Sequence, residues 1–264
     1  MNQRIEALRD QIAGIFLGDN PAIDWTLCCL LARGHVPLED VPGVGKTLLA
    51  SVLAKSIDCP FSRIQFTPDM LPADLLGVSI FSRDGEVLKF QPGPLFTSIL
   101  LADEINRTTP KTQSALLEAM SEAQVSIDGT TRQLPAPFMV IATQNPSEFE
   151  GTFPLPENQL DRFLMRISLG YPDADAETNL LDLRPSTMML DSLPPVLNAD
   201  DIVAIQNEVD KIHLSEPVRR YIVEIAHQTR EADEIRVGLS PRGSLALAQA
   251  SRAWAWMKQQ DFVT

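Results

Sequence analysis

The chain has 264 residues, a mass of 29.2 kDa and 44% apolar residues, enough to build real cores for about two domains of a globular protein. Its 35 acidic residues against 22 basic ones give a formal charge of −13 and a pI near 4.6, a field that repels a phosphate backbone and argues against nucleic acid as the substrate. No charge-free apolar run approaches the ~18 residues of a membrane span, and the first twenty residues lack a signal-peptide stretch, so a cytoplasmic protein without direct membrane insertion is expected.

Along the chain, Ile5, Leu8, Ile12, Ile15 and Phe16 recur at helical spacing. The Asn20-Pro21 turn then precedes a second apolar helix with Trp25, Leu27, Cys28, Leu30 and Leu31, which Gly34 is expected to stop. Val36 to Asp40 reads as a strand in which Pro37 lacks a ladder donor, so either one bond is missing or the strand starts at Leu38. Glycines follow at 43 and 45, then Leu48, Leu49, Val52, Leu53 and Ile57 mark a helix. Phe61–Phe66 alternates as a strand, and Pro72–Leu76 forms a short helix ending at Gly77. The runs Ser79–Phe81 and Val87–Phe90 flank Asp84-Gly85 and predict an inserted β-ribbon.

Ser98–Ala102 is apolar throughout, as a strand buried on both faces requires, and it ends in Asp103-Glu104. Pro110 opens a helix carrying Leu116, Leu117 and Met120, and a second ribbon turns at Asp128-Gly129. Phe138–Ala142 is another buried strand, ending in Thr143-Gln144-Asn145, and Leu164–Leu169 reads as a last strand. Five strands alternating with helices predict an α/β fold with a parallel five-stranded sheet covered on both faces and ligands at the strands' carboxyl ends. Beyond Pro172 only helices are signalled: one capped by Asn198, one opened by Ser215 and Pro217, and one with Ser240 at the N-cap and Pro241 at the first position. The expected division is therefore 1–172, an α/β core, and 173–264, a small α-helical lid.

The stretch Val41-Pro42-Gly43-Val44-Gly45-Lys46-Thr47 combines a small-residue turn with a lysine and a hydroxyl at a helix N-terminus, where unpaired N–H groups favour anions. Lys46 can reach the β- and γ-phosphates of a nucleotide, and Thr47 can ligate the accompanying magnesium. The strict phosphate-loop pattern places glycine where this chain has Asp40. Two carboxylates closing a buried strand need a partner, and a phosphate loop in the same sheet gives them one: Asp103 would hold the hydrated metal and Glu104 would polarise water. Asn145 could hydrogen-bond the γ-phosphate or the water. Arg242 sits in the first turn of a capped helix, where a cation opposes the dipole unless an anion is near. Arg162 is a further source of positive charge, and Gln65 could restrain Glu104. His35, His213 and His227 have no partner at metal-ligand spacing, and Cys28, Cys29 and Cys59 read as reduced thiols.

In order, the chain carries Gly34-His35-Val36, Leu38 to Thr47, Phe66-Thr67-Pro68-Asp69, Asp74-Leu75-Leu76-Gly77 and Gly93-Pro94-Leu95-Phe96. Leu101 to Arg107, Leu116 to Met120, Ile141 to Pro146, Leu160-Asp161-Arg162-Phe163 and Ser240-Pro241-Arg242 follow. These ordered motifs resemble the MoxR family of AAA+ ATPases, a P-loop NTPase family that tolerates Asp at the position of Asp40. The resemblance implies ATP and Mg2+ as cofactors, held by Pro42, Gly43, Val44, Gly45, Lys46, Thr47 and Leu48, with Thr47 and Asp103 toward the metal. It assigns Glu104 to catalysis, Asn145 to sensor 1, Arg162 to an arginine finger and Arg242 to sensor 2.

The same resemblance implies a homo-oligomeric ring, a hexamer, with both ribbons toward its pore. The implied activity is ATP hydrolysis that remodels or matures a protein client through a partner with a von Willebrand factor A domain, as in metal or cofactor insertion. A chelatase-type motor subunit and a slowly hydrolysing assembly switch are the alternatives, while a helicase motor fits poorly with the charge. Three features depart from the family pattern: Pro37 where an aliphatic residue is usual, Gly243 where alanine is usual, and an end at Thr264, which leads to the expectation of a short lid.

Overall fold

Strands that are apolar on both faces must be covered on both. The computed structural model describes residues 3–16, 20–39, 43–81, 88–144, 152–171, 174–175, 177–178, 190 and 192–264. Its first elements are α1 (Gln3–Ala13), α2 (Asn20–Leu31), β1 (Val36–Glu39), α3 (Lys46–Ser56), β2 (Phe61–Gln65), α4 (Pro72–Leu76), β3 (Gly77–Phe81), β4 (Leu88–Pro92) and β5 (Ile99–Asp103). A 3-10 turn at Ile105–Arg107 leads to α5 (Pro110–Glu122), β6 (Gln124–Ile127), β7 (Thr130–Gln133), β8 (Met139–Gln144) and α6 (Glu157–Leu160). The C-terminal helices are α7 (Ala199–Val209), α8 (Glu216–Glu231) and α9 (Pro241–Met257).

The central sheet runs β1-β8-β5-β2 with every pairing parallel. Strand residues alternate between two apolar clusters, as the two-residue period of a pleated strand requires. Ile99, Leu101, Met139 and Ile141 pack with α1, α2 and α3, whereas Leu100, Ala102, Val140 and Ala142 pack with α5 on the other face. The first cluster continues into Ile202, Ile205, Val209, Ile222 and Met257, so the C-terminal helices share a core with the N-terminal ones. Trp25 of α2 stacks on Trp254 of α9 with ring centroids 4.5 Å apart, and the buried Gln206 amide donates to Leu30 O at 2.7 Å.

Of the expected fifth strand, the described residues form a bridge and no ladder. Among the described residues, the β-pairing of 164–169 with β1 is a single parallel bridge between Leu38 and Ile167, beside an Arg166–Glu39 ion pair at 2.8 Å, so the described sheet has four strands. Ile167 N donates to Pro37 O and Glu39 N to Ile167 O, which places the Pro37 nitrogen on this same edge. Extending the bridge one step back needs an N–H at residue 37, and proline has none. Strand β1 nevertheless includes Pro37, since its pairing with β8 runs from Val36 to Glu39.

Gly34 also acts differently from a helix stop. Helix α2 ends at Leu31, Arg33 takes the left-handed turn at φ 56°, and a Cβ on Gly34 would lie 2.6 Å from the Leu164 side chain. Glycine there permits a close approach. Both ribbons form as antiparallel pairs, β3 with β4 and β6 with β7; the expected turn at Asp84-Gly85 lies outside the described residues. At the second turn, Asp128 and Gly129 have φ of 51° and 73°, the paired positive values of a tight hairpin. The ribbons touch each other: Ser79 Oγ donates to Asp128 Oδ2 at 2.6 Å, and the Arg132 guanidinium lies 4.0 Å over the Phe90 ring.

Candidate functional site

Strand β1 runs into the glycine turn, of which residues 40–42, including Pro42, lie outside the described residues. Gly43 and Gly45 have φ of 90° and 93°, a backbone that side chains rarely adopt, and Gly45 is the N-cap of α3 without any side-chain cap. The N–H groups of the first turn of α3 therefore have no intrahelical acceptor. Lys46 and Thr47 open the helix and are half-buried, while Val44 and Leu48 pack partly on the core. A Cβ on Gly45 would meet the Phe16 ring at 3.0 Å, whereas one on Gly43 would meet nothing within 4 Å among the described residues.

Two strands away, β5 ends in Asp103, and the chain turns through Glu104 at φ 57° and ψ 51°. A left-handed glutamate costs about 1 kcal/mol or more, and it persists because neighbours hold it. Thr143 of β8, the strand between β1 and β5, donates to Asp103 Oδ1 at 2.6 Å and accepts from Glu104 N at 2.9 Å. The buried Gln113 amide clamps the following turn, donating to Ile105 O, Thr108 O and Phe153 O at 3.1, 3.3 and 2.8 Å.

Both carboxylates carry arginine partners. Arg63 of β2 donates to Asp103 Oδ2 through Nη2 at 2.6 Å and Nε at 3.3 Å, and Arg107 donates to Glu104 Oε2 at 3.1 Å. Gln65 could have restrained Glu104 or been a plain strand-end amide; it is exposed and makes no side-chain hydrogen bond among the described residues, and Arg107 donates to Glu104 instead. The register explains this, because Gln65 pairs with Asp103 while Glu104 has already left the strand. Arg63 pairs with Leu101 and so shares a face with Asp103, two residues on. A basic residue two positions before a strand-end amide was the available signal, and sequence reasoning passed over it. Thr143, a hydroxyl ending an apolar run, was a second.

Arg162 Nη1 donates to Leu117 O at 2.9 Å and to Ser121 Oγ at 2.5 Å, so its guanidinium rests on the last turns of α5. Its neighbour Asp161 accepts from Ser240 Oγ at 2.6 Å, and Ser240 Oγ in turn accepts from Gly243 N at 2.9 Å, which ties the Arg162 corner to the start of α9. Arg242, in that first turn, is exposed and makes no hydrogen bond or ion pair among the described residues. A Cβ on Gly243 would lie 2.5 Å from the Leu239 side chain, which would have to shift to admit alanine. Asn145 lies outside the described residues; its strand is described as far as Gln144.

His35 is buried and bridges elements behind the site. Its Nδ1 accepts from Val140 N at 2.9 Å, so Nε2 carries the proton and donates to Met120 O at 2.9 Å. Burial pushes its pKa down to about 4. Burial also pushes the Cys28 and Cys59 thiols up to about 12, which keeps them protonated. No helix among the described residues is long and apolar enough to cross a membrane.

An ammonium at Lys46, a hydroxyl at Thr47 and carboxylates at 103 and 104 form a donor set that fits a phosphate chain with a divalent cation. Comparison with known proteins agrees. Residues 35–165 match the family described as ATPase family associated with various cellular activities (AAA), and residues 227–264 match the AAA lid domain. The chain is 49% identical to protein YeaC of Bacillus subtilis, itself uncharacterised, over 96% of this chain and 79% of that one. It is 39% identical to chaperone MoxR1 of Mycobacterium tuberculosis over 96% and 69%, and 30% identical to protein MoxR of Paracoccus denitrificans over 95% and 80%. The crystal structure of a proposed ATPase from Cytophaga hutchinsonii superposes with a TM-score of 0.90 at 40% identity, covering 99% of this chain and 82% of that one. With the AAA core and lid both matched and relatives named MoxR at 39% and 30% identity, the chain belongs to the MoxR family of AAA+ ATPases.

Proposed function

We propose that the chain is a MoxR-type chaperone that binds ATP with Mg2+ and hydrolyses the nucleotide to remodel or mature a protein client. The observation that carries this reading is the placement of β8. It pairs with the strand that feeds the glycine turn on one side and, through Thr143, orients Asp103 and Glu104 on the other. Residues 42 to 48 would hold the phosphates, the first-turn N–H groups of α3 and Lys46 meeting their charge. Thr47 and Asp103 would hold the cation, which when bound neutralises phosphate charge. Glu104 would draw a proton from the attacking water, and Asn145 would orient that water or the γ-phosphate.

Arg162 is assigned to the neighbouring subunit's nucleotide in a homo-oligomeric ring, and Arg242 to the nucleotide of its own chain across the division between 1–172 and 173–264. The link from Asp161 through Ser240 to Gly243 supports a shared movement of these two arginines with the lid. The client is proposed to arrive through a partner with a von Willebrand factor A domain, and the cytoplasm is the proposed compartment. Lys46→Ala should abolish nucleotide binding, and Arg162→Ala should bind normally yet hydrolyse about a thousandfold more slowly, the scale of a finger in trans. Mixing these two inactive proteins should restore part of the rate. Absence of any rescue, with full concentration-independent turnover by a dilute monomer, would leave Arg162 outside the chemistry.

A further inference from the structure

The mechanism above gives Asp103 to a divalent cation, yet the structure gives Asp103 Oδ2 to Arg63. The carboxylate is mostly buried, with 18% of its side chain exposed, and Oδ1 is already committed to the Thr143 hydroxyl. Arg63 approaches from the adjacent strand with half its side chain in solvent, so it can leave without disturbing the core. Asp103 is also held by Thr143, whose hydroxyl is fixed by Glu104 N, so the carboxylate does not need Arg63 to stay oriented.

We infer that Arg63 competes with the divalent cation for Asp103 and thereby sets the metal concentration at which the nucleotide site fills. The inference rests on the proposed reading of Asp103 as a metal-side ligand and deepens it. A guanidinium and a divalent cation served by one carboxylate repel each other at short range, so the ion pair raises the metal concentration needed. A positioning role for Arg63 makes the opposite prediction: losing it would loosen Asp103 and weaken metal binding. The sign of the effect therefore separates the two.

The test is Mn2+ binding in the presence of ADP, followed by electron paramagnetic resonance, with ADP affinity in EDTA measured alongside. Arg63→Met should bind Mn2+ roughly three- to tenfold more tightly than the parent, the range expected when one partly exposed competing ion pair is removed. Arg63→Lys, which keeps the charge but lacks the paired donors, should fall between. Arg220→Met, which removes an equivalent charge paired with Glu216 on α8, should match the parent. ADP affinity in EDTA should not rise. Unchanged or weaker Mn2+ binding by Arg63→Met overturns the inference, as does an equal gain with and without metal. If the parent itself binds no Mn2+ with ADP, the reading of the site fails first and the inference falls with it.

Discussion

Two strands of one sheet turn into helices through a left-handed residue, and they use opposite residues to do it. After β1 the turn is made by Gly45 at φ 93°, which carries no strain and offers only backbone. After β5 it is made by Glu104 at φ 57°, which is strained and offers a carboxylate. The first turn leaves room for a ligand: glycine adds no side chain at 43 or 45, and the helix start has no side-chain cap. The second is built to act: the side chain occupies the position where glycine would be easiest, and Thr143, Arg107 and Gln113 hold the unfavourable backbone in place. Strain is accepted where a functional group has to project and avoided where a ligand has to approach.

The largest expected effect tests the division of labour. Glu104→Gln should retain nucleotide binding and lose about a hundredfold or more in hydrolysis, the scale for removing a positioned base. Parental turnover in that protein would mean that Glu104 is not the acting carboxylate and that the two turns do not differ in kind.

The next concerns the histidine that joins β8, the strand between the two turns, to the helix that leaves the second. His35 has a folded pKa near 4 against about 6.5 when unfolded, so the stability it contributes is complete above pH 6.5 and is lost as pH falls toward 4. Between pH 7 and pH 5 the parent should lose about 2 kcal/mol from this group alone. Chemical denaturation of His35→Gln should show a correspondingly flatter pH profile, whatever its absolute stability. An identical profile would mean that burial at residue 35 does not govern acid sensitivity.

Within the first turn, Gly45→Ala and Gly43→Ala share the same backbone penalty, about 1 kcal/mol each for an alanine at positive φ. Only the former also drives a Cβ against Phe16. Thermal melts should therefore show Gly45→Ala as the less stable protein, and equal melts would show that Phe16 yields freely. The smallest effect is expected in the second turn. Glu104→Gly should relieve the strain and stabilise the fold by up to about 1 kcal/mol while hydrolysis is lost. A protein that is less stable than the parent would locate net stabilisation in the Arg107 pair instead.

Sequence alone determined the elements whose signals are local. The apolar runs ending at Ala102 and Ala142 are strands because only burial on both faces tolerates them, and Asn198 and Ser240 cap helices because their side chains accept from N–H groups three residues on. The ordered motifs also identified the family, since a phosphate loop and a carboxylate pair keep their chemistry wherever the chain places them.

Tertiary structure decided what depends on the neighbour across a gap. Pro37 could not reveal which edge its missing donor faces until the pairing with β8 was known, and that edge denies the Leu38–Ile167 bridge a further bond on its N-terminal side. Gly34 resembled a helix stop until Leu164 occupied the space above it. Arg63 and Gln65 are both polar residues on one exposed strand, and only the register with β5 selects Arg63 as the partner of Asp103. Local periodicity fixes which residues share a face, but an ion pair between strands depends on a stagger that no single strand encodes.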